Sequence, residues 1–197
     1  MENNEEQGID YPFIMGLEGY STTGYVPEKD GKPLGESGVT IASGFDLGKR
    51  SISSLEGLPE GLVMRLAPYL GVRGEAAQNI ASSLKITSEE ADMLNEVAKN
   101  QTVGMLSNLW KNKTGKDFQD LPSNKQTVLA SVAFQYGDLP KKTPKFWKYA
   151  TSDDWDSVKR ELNDFKDDYP TRRRKEAKLL KWITTITSFG VLFLYML

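Results

Sequence analysis

Glu18, Thr40 and Asp46 are the residues of this chain whose types and spacing best suit them to do chemistry. Glu18 follows a short apolar segment (Tyr11, Pro12, Phe13, Ile14, Met15, Leu17) that reads as a brief helix stopped at Gly19. A carboxyl group at a helix end beside apolar side chains is the setting expected of a proton donor. Thr40 and Asp46 lie in the run from Ser37 to Gly48, where β-formers alternate with small residues. That pattern predicts a narrow strand approached closely by a ligand or another backbone. The two residues are six positions apart, so on a regular strand they face the same side. One protonatable carboxyl, one hydroxyl and one carboxylate in a small glycine-rich lobe form a set that glycoside hydrolysis can use. Glu28, Asp30 and Glu36 in the intervening loop are alternative second carboxylates.

Composition narrows the chemistry further. The chain has no histidine, which excludes Ser-His-Asp and Cys-His mechanisms and removes the commonest zinc ligand. It also has no cysteine, hence no disulfide and no thiolate. Carboxylates, hydroxyls, lysines and tyrosines are left to carry any reaction, and neither a metal nor a cofactor is expected. The net charge of -2 is unevenly spread, because residues 1–70 hold 11 acidic against 5 basic side chains and the remainder holds 16 against 20. A basic second half can hold a substrate bearing carboxylates while the acidic first half does the chemistry; ordinary solvated surface gives the same count.

The elements that must position these residues change character after the first lobe, from glycine-rich strands to helices. Leu55 to Leu70 carries helical apolar spacing interrupted by Pro59 and Pro68, and Gly74 to Leu84 reads as another short helix. Thr87-Ser88-Glu89-Glu90 is a capping box ahead of a long helix running to about Trp110. Within that helix Gly104 is either a weak point or a close-packing contact. Ser123-Asn124-Lys125-Gln126 repeats the capping signal before Thr127 to Tyr136, which is apolar nearly all round and reads as a buried central helix closed by Gly137. Lys141 to Tyr149 mixes lysines with Phe146 and Trp147, read as packed aromatics with solvated lysines and not as a nucleic-acid site. Thr151 and Thr171 open two further helices, and Arg172-Arg173-Arg174 reads as a solvated face or as partners of Asp167 and Asp168.

Two terminal stretches stand apart. Residues 1–10 are polar and acidic, expected to be disordered, and lack the basic start and apolar core of a signal peptide. Trp182 to Leu197 has no charged side chain. Its span of roughly 24 Å as a helix falls short of a hydrocarbon core of about 30 Å. A membrane segment, a buried terminal helix and an extension without a role all fit it, the first being preferred.

The run Leu17-Glu18-Gly19, then Gly24-Tyr25-Val26-Pro27, then Ser37-Gly38-Val39-Thr40-Ile41-Ala42-Ser43-Gly44-Phe45-Asp46-Leu47-Gly48 resembles the catalytic lobe of the pesticin-type muramidases, bacterial-toxin relatives of phage lysozyme. That family has its catalytic Glu, Thr and Asp in this order and with nearly this spacing. Ordinary phage lysozymes place the aspartate between the glutamate and the threonine, at the position held here by Pro27. Phe134-Gln135-Tyr136-Gly137 is similar to the end of the phage-lysozyme core helix, and Arg172-Arg173-x-x-Glu176-Ala177-x-Leu179 to the closing helix of that superfamily.

The resemblance implies an α+β, mostly helical, lysozyme-like fold, with a small β-containing catalytic lobe (11–70) and a larger helical lobe (71–181) joined by a long helix. It implies hydrolysis of the β-1,4 bond between N-acetylmuramic acid and N-acetylglucosamine in peptidoglycan, with Glu18 as acid, Asp46 as base or stabiliser, and Thr40 holding water. Tyr25, Gln135 and Tyr136 are the candidates for contact with the glycan. The protein is then expected to be a monomer, made in the cytoplasm and acting on the cell wall, with membrane contact through Trp182–Leu197 and no nucleic-acid partner. A wall-binding module that keeps the fold without turnover, and a toxin acting through its apolar tail, are the two rival functions.

Overall fold

A computed structural model describes residues 8–180, and the acidic start 1–7 and the apolar run 182–197 lie outside the described residues. The fold is α+β and mostly helical, with a small antiparallel sheet. Helix α1 (Tyr11–Met15) is capped by Asp10, whose carboxylate accepts from the Phe13 amide at 2.9 Å. It ends at Gly16, before Glu18. Strand β1 (Ser21–Tyr25) follows, then the short hairpin of β2 (Glu28–Lys29) and β3 (Lys32–Pro33).

The expected single strand from Ser37 to Gly48 is instead a tight hairpin, β4 (Thr40–Ala42) and β5 (Phe45–Asp46), with β4 paired to β1 on its other side. The chain reverses at Ala42-Ser43-Gly44, where Ala42 has φ 53° and Gly44 φ 79°. Gly44 adopts that conformation freely, whereas at a non-glycine residue such as Ala42 it costs about 1–2 kcal/mol. Thr40 and Asp46 still share a face, because they are direct cross-strand partners.

Helices α2 (Glu60–Leu66) and α3 (Gly74–Ala81) cover this sheet. Helix α4 (Ser88–Thr114) opens with the anticipated capping box, since the Thr87 hydroxyl accepts from the Glu90 amide and the Glu90 carboxylate from that of Thr87. Its first half contributes Ala91 and Leu94 to a core with Ile41, Phe45, Leu47 and Leu66. Its second half contributes Leu106 and Trp110 to a separate core with Leu129, Val132 and Phe146. One helix therefore runs through both cores, and a side chain on it can act on either. Gly104 meets no heavy atom within 4 Å of where a Cβ would stand, which removes the close-packing alternative.

Helix α5 (Ser123–Tyr136) is the central buried helix, solvent-excluded from Gln126 to Ala133. Its N-cap is Pro122 without a side-chain bond, so the predicted Ser123 cap is not used. Around it lie α6 (Leu139–Lys142), α7 (Pro144–Thr151), α8 (Trp155–Asn163) and α9 (Pro170–Leu179). Thr151 ends α7, and Asp154 caps α8 by accepting from the Ser157 amide at 3.0 Å. Phe146 and Trp147 are buried, as their packing reading requires. Among the described residues no helix is long and apolar enough to cross a membrane.

Candidate active site

The site begins at the turn after α1. Glu18 is three-quarters or more buried, and its Oε1 lies 2.7 Å from Nη1 of Arg172 on α9. The apolar surround expected of Glu18 is therefore broken on one side by a guanidinium. Arg172 is held in turn by Glu176 Oε1 at 3.1 Å and by the Ser131 carbonyl at 2.9 Å. Glu176 is fully buried and accepts from the Ser131 hydroxyl at 2.5 Å and from Arg173 Nη1 at 2.5 Å. A buried carboxylate with this many donors meets the satisfaction that burial demands. Arg172 and Arg173 are thus not a solvated face.

The hairpin supplies the second half. Asp46 Oδ1 accepts from the amides of Gly38 at 3.2 Å and Gly48 at 2.9 Å, and Oδ2 lies 3.0 Å from Lys49 Nζ. These contacts fix its orientation. They depend on a backbone crossing, because a Cβ on Gly38 would stand 2.4 Å from the Gly48 Cα. Thr40 is almost wholly buried and donates its hydroxyl proton to the Gly38 carbonyl at 3.2 Å, which leaves its oxygen lone pairs free to accept.

The hairpin turn faces the glutamate: a Cβ built on Gly44 would sit 3.5 Å from Glu18 Oε2. Tyr25 pairs with Thr40 in the β1–β4 register. Burial, and then the charges of Glu18 and Asp46, push its hydroxyl above the ordinary tyrosine range. It therefore remains a proton-bearing donor within the field of both carboxylates. Tyr25, Thr40 and Asp46 form one row across three strands, and Glu18 closes it through Gly44.

Gln135 and Tyr136 are placed differently. The Gln135 side-chain oxygen accepts from Arg173, and the Tyr136 hydroxyl donates to Asp167 Oδ2 at 2.8 Å. Arg173 Nε also reaches Asp167 Oδ2, at 2.8 Å, so the expected pairing of the arginines with Asp167 exists. The Gln135 side-chain oxygen and the Tyr136 hydroxyl are engaged in this network at the base of α9. Arg172 and Glu176 entered the sequence reading only through the closing-helix resemblance and the arginine run, not as site residues, and Ser131 was not singled out. The one local signal was Glu176 standing four residues after Arg172 on a predicted helix, a spacing that permits an ion pair. The loop acids Glu28 and Asp30 belong to the β2–β3 hairpin, where Glu28 accepts from Gln78 at 2.6 Å. Among the described residues no group of three or more acidic side chains is gathered for a metal ion.

A family model described as "Pesticin: Bacterial toxin homologue of phage lysozyme, C-term" matches residues 8–156, well over half of the chain. The chain belongs to the pesticin family. The match takes in Glu18, Tyr25, Thr40 and Asp46 and ends before α9, so the Arg172 that meets Glu18 lies beyond it. A search of curated proteins finds no match. Membership in this lysozyme-homologous toxin family agrees with the mostly helical α+β architecture and with the helix that runs through both cores.

Proposed function

We propose that this pesticin-family chain is a peptidoglycan hydrolase that cleaves the β-1,4 bond between N-acetylmuramic acid and N-acetylglucosamine and so lyses bacterial cells. The observation that supports it most is the pairing of Thr40 with Asp46 across a hairpin whose turn faces Glu18. Glu18 is the general acid: its proton passes to the glycosidic oxygen as the bond to the anomeric carbon breaks. Thr40, its own proton engaged by Gly38, accepts a hydrogen bond from the attacking water. The water oxygen adds to the anomeric carbon, and its proton passes to Asp46. Positive charge developing on the sugar is stabilised by the same carboxylate. Attack by water gives inversion at the anomeric centre. A nucleophilic Asp46 would instead give retention and requires carboxyl groups only about 5 Å apart. Tyr25, kept protonated, donates to a sugar oxygen. The reaction takes place on the wall, outside the cytoplasm.

The test is to incubate purified protein with peptidoglycan and identify the fragments by mass. New reducing ends on N-acetylmuramic acid are expected. Fragments cut only in the peptide stems, or none at all, would contradict the reading; binding without fragments would favour a wall-binding module.

A further inference from the structure

Helix α4 is joined to the candidate active site by one side chain that the mechanism above does not use. Asn95 Oδ1 accepts a hydrogen bond from the backbone amide of Ser43 at 3.1 Å. Ser43 is the middle residue of the Ala42-Ser43-Gly44 turn, between the two residues with positive φ. Ala42 is fully buried, and alanine rarely adopts a φ of 53°, so something outside the turn must hold it there. Ala42 is held on one side by its pairing with Ser21 of β1, but the ladder between β4 and β5 ends at the Ile41–Phe45 pair, so the next amide, that of Ser43, lies beyond the strands. Asn95 takes the turn's middle amide and ties it to a helix anchored by Ala91 and Leu94 in the same core. A second tie runs parallel: Gln101, also on α4, accepts from Arg50 Nη1 at 2.6 Å and donates to the Ser54 carbonyl at 2.8 Å.

The turn is also the part of the hairpin that faces Glu18, through Gly44. We propose that Asn95 is a positioning residue for this site, holding a strained turn so that Glu18 and Asp46 stand at their working distance. The proposal rests on the hydrolase reading for its kinetic arm only. Hydrolases are sensitive to such placement, because a shift of about 1 Å in a reacting group can cost about a hundredfold in rate.

The test uses the full chain with three variants. Asn95→Leu removes the acceptor at similar size, Asn95→Asp keeps an acceptor oxygen, and Asn95→Leu combined with Ala42→Gly removes the acceptor and relieves the strain. Turnover on solubilised glycan strands and exchange of the Ser43 amide by NMR are measured. Asn95→Leu is expected to lower kcat about tenfold or more with KM within about twofold, and to speed Ser43 amide exchange. Asn95→Asp should keep both near wild type, and Ala42→Gly should restore at least about threefold of the lost kcat. If Asn95→Leu does not fold, Asn95→Ala carries the same expectations. Wild-type kcat with a protected Ser43 amide in the acceptor-less variant, or an equal loss in Asn95→Asp, would overturn the proposal. If the wild type releases no glycan fragments, the hydrolase reading fails, and unchanged or accelerated Ser43 exchange still decides whether Asn95 holds the turn.

Discussion

Arg172 and Glu18, from opposite ends of the described chain, meet at 2.7 Å, and the same guanidinium reaches Glu176 at 3.1 Å. The closing helix therefore fixes the orientation of the candidate acid and is itself fixed by a buried carboxylate. Arg172→Met leaves Glu176 with one cation fewer and Glu18 with no ion-pair partner among the described residues. Because breaking a buried ion pair from one side costs about 3–5 kcal/mol, urea unfolding should show a loss of that order. Arg172→Lys, which keeps the charge but not the planar fork, should lose less. A loss under about 1 kcal/mol in Arg172→Met would show that the network does not hold the fold.

Tyr136 gives a prediction at alkaline pH. Burial first, then its hydrogen bond to Asp167, pushes its hydroxyl up to about 12 from 10.0. A group whose folded pKa is raised stabilises the fold fully below its unfolded pKa. That stability is lost as pH rises, here between about 10 and about 12. Absorbance titration of the phenols should show a late tyrosine that Tyr136→Phe removes. A titration curve unchanged by the substitution would refute the assignment.

Asp167 works in the opposite direction. Burial alone would raise its carboxyl, but hydrogen bonds from Arg173, Tyr136 and the Tyr169 amide outweigh burial and hold it below the ordinary range. Its contribution is present above the unfolded pKa of about 3.9 and is lost as pH falls through the lowered folded value. Acid unfolding of Asp167→Asn should therefore be less steep than that of the wild type below about pH 4.

Two glycines should respond with opposite signs. Gly38→Ala places a Cβ 2.4 Å from the Gly48 Cα, so the backbone crossing that supplies two amides to Asp46 must open. Loss of turnover together with a lower Tm is expected. Gly104→Ala, exposed in the middle of α4 with open space around it, should stabilise by about 0.5–1 kcal/mol. Differential scanning calorimetry separates the two.

Much of this was legible in the residues, because the signals were local. The Thr87–Glu90 capping box, the apolar repeat of α4 and the all-round apolar α5 each require only a few consecutive positions; the box stands where it was expected, while α4 runs on to Thr114 past Trp110 and α5 begins at Ser123, four residues before Thr127. The Thr40–Asp46 pairing was read on the right face but on the wrong element. Ser43-Gly44 is a turn signal, yet it was masked by flanking β-formers and by Ala42, a residue that does not announce a positive φ. The Arg172–Glu18 contact was beyond reach, since a tertiary ion pair between chain ends leaves no periodic trace. Nor does a run of three arginines announce that two of them are buried. Thr151 shows the limit of cap reading: the same residue type that starts helices here ends one, with its hydroxyl donating to the Trp147 carbonyl at 2.9 Å.

The central claim is that Glu18 and Asp46 together carry hydrolysis of the glycan. The most direct measurement is release of reducing ends from purified peptidoglycan by wild type, Glu18→Gln and Asp46→Asn, each shown by its thermal melt to be folded. The account predicts release by the wild type and a fall of about a hundredfold or more in both variants, the scale of a positioned general acid or base. Equal release by all three folded proteins would contradict it.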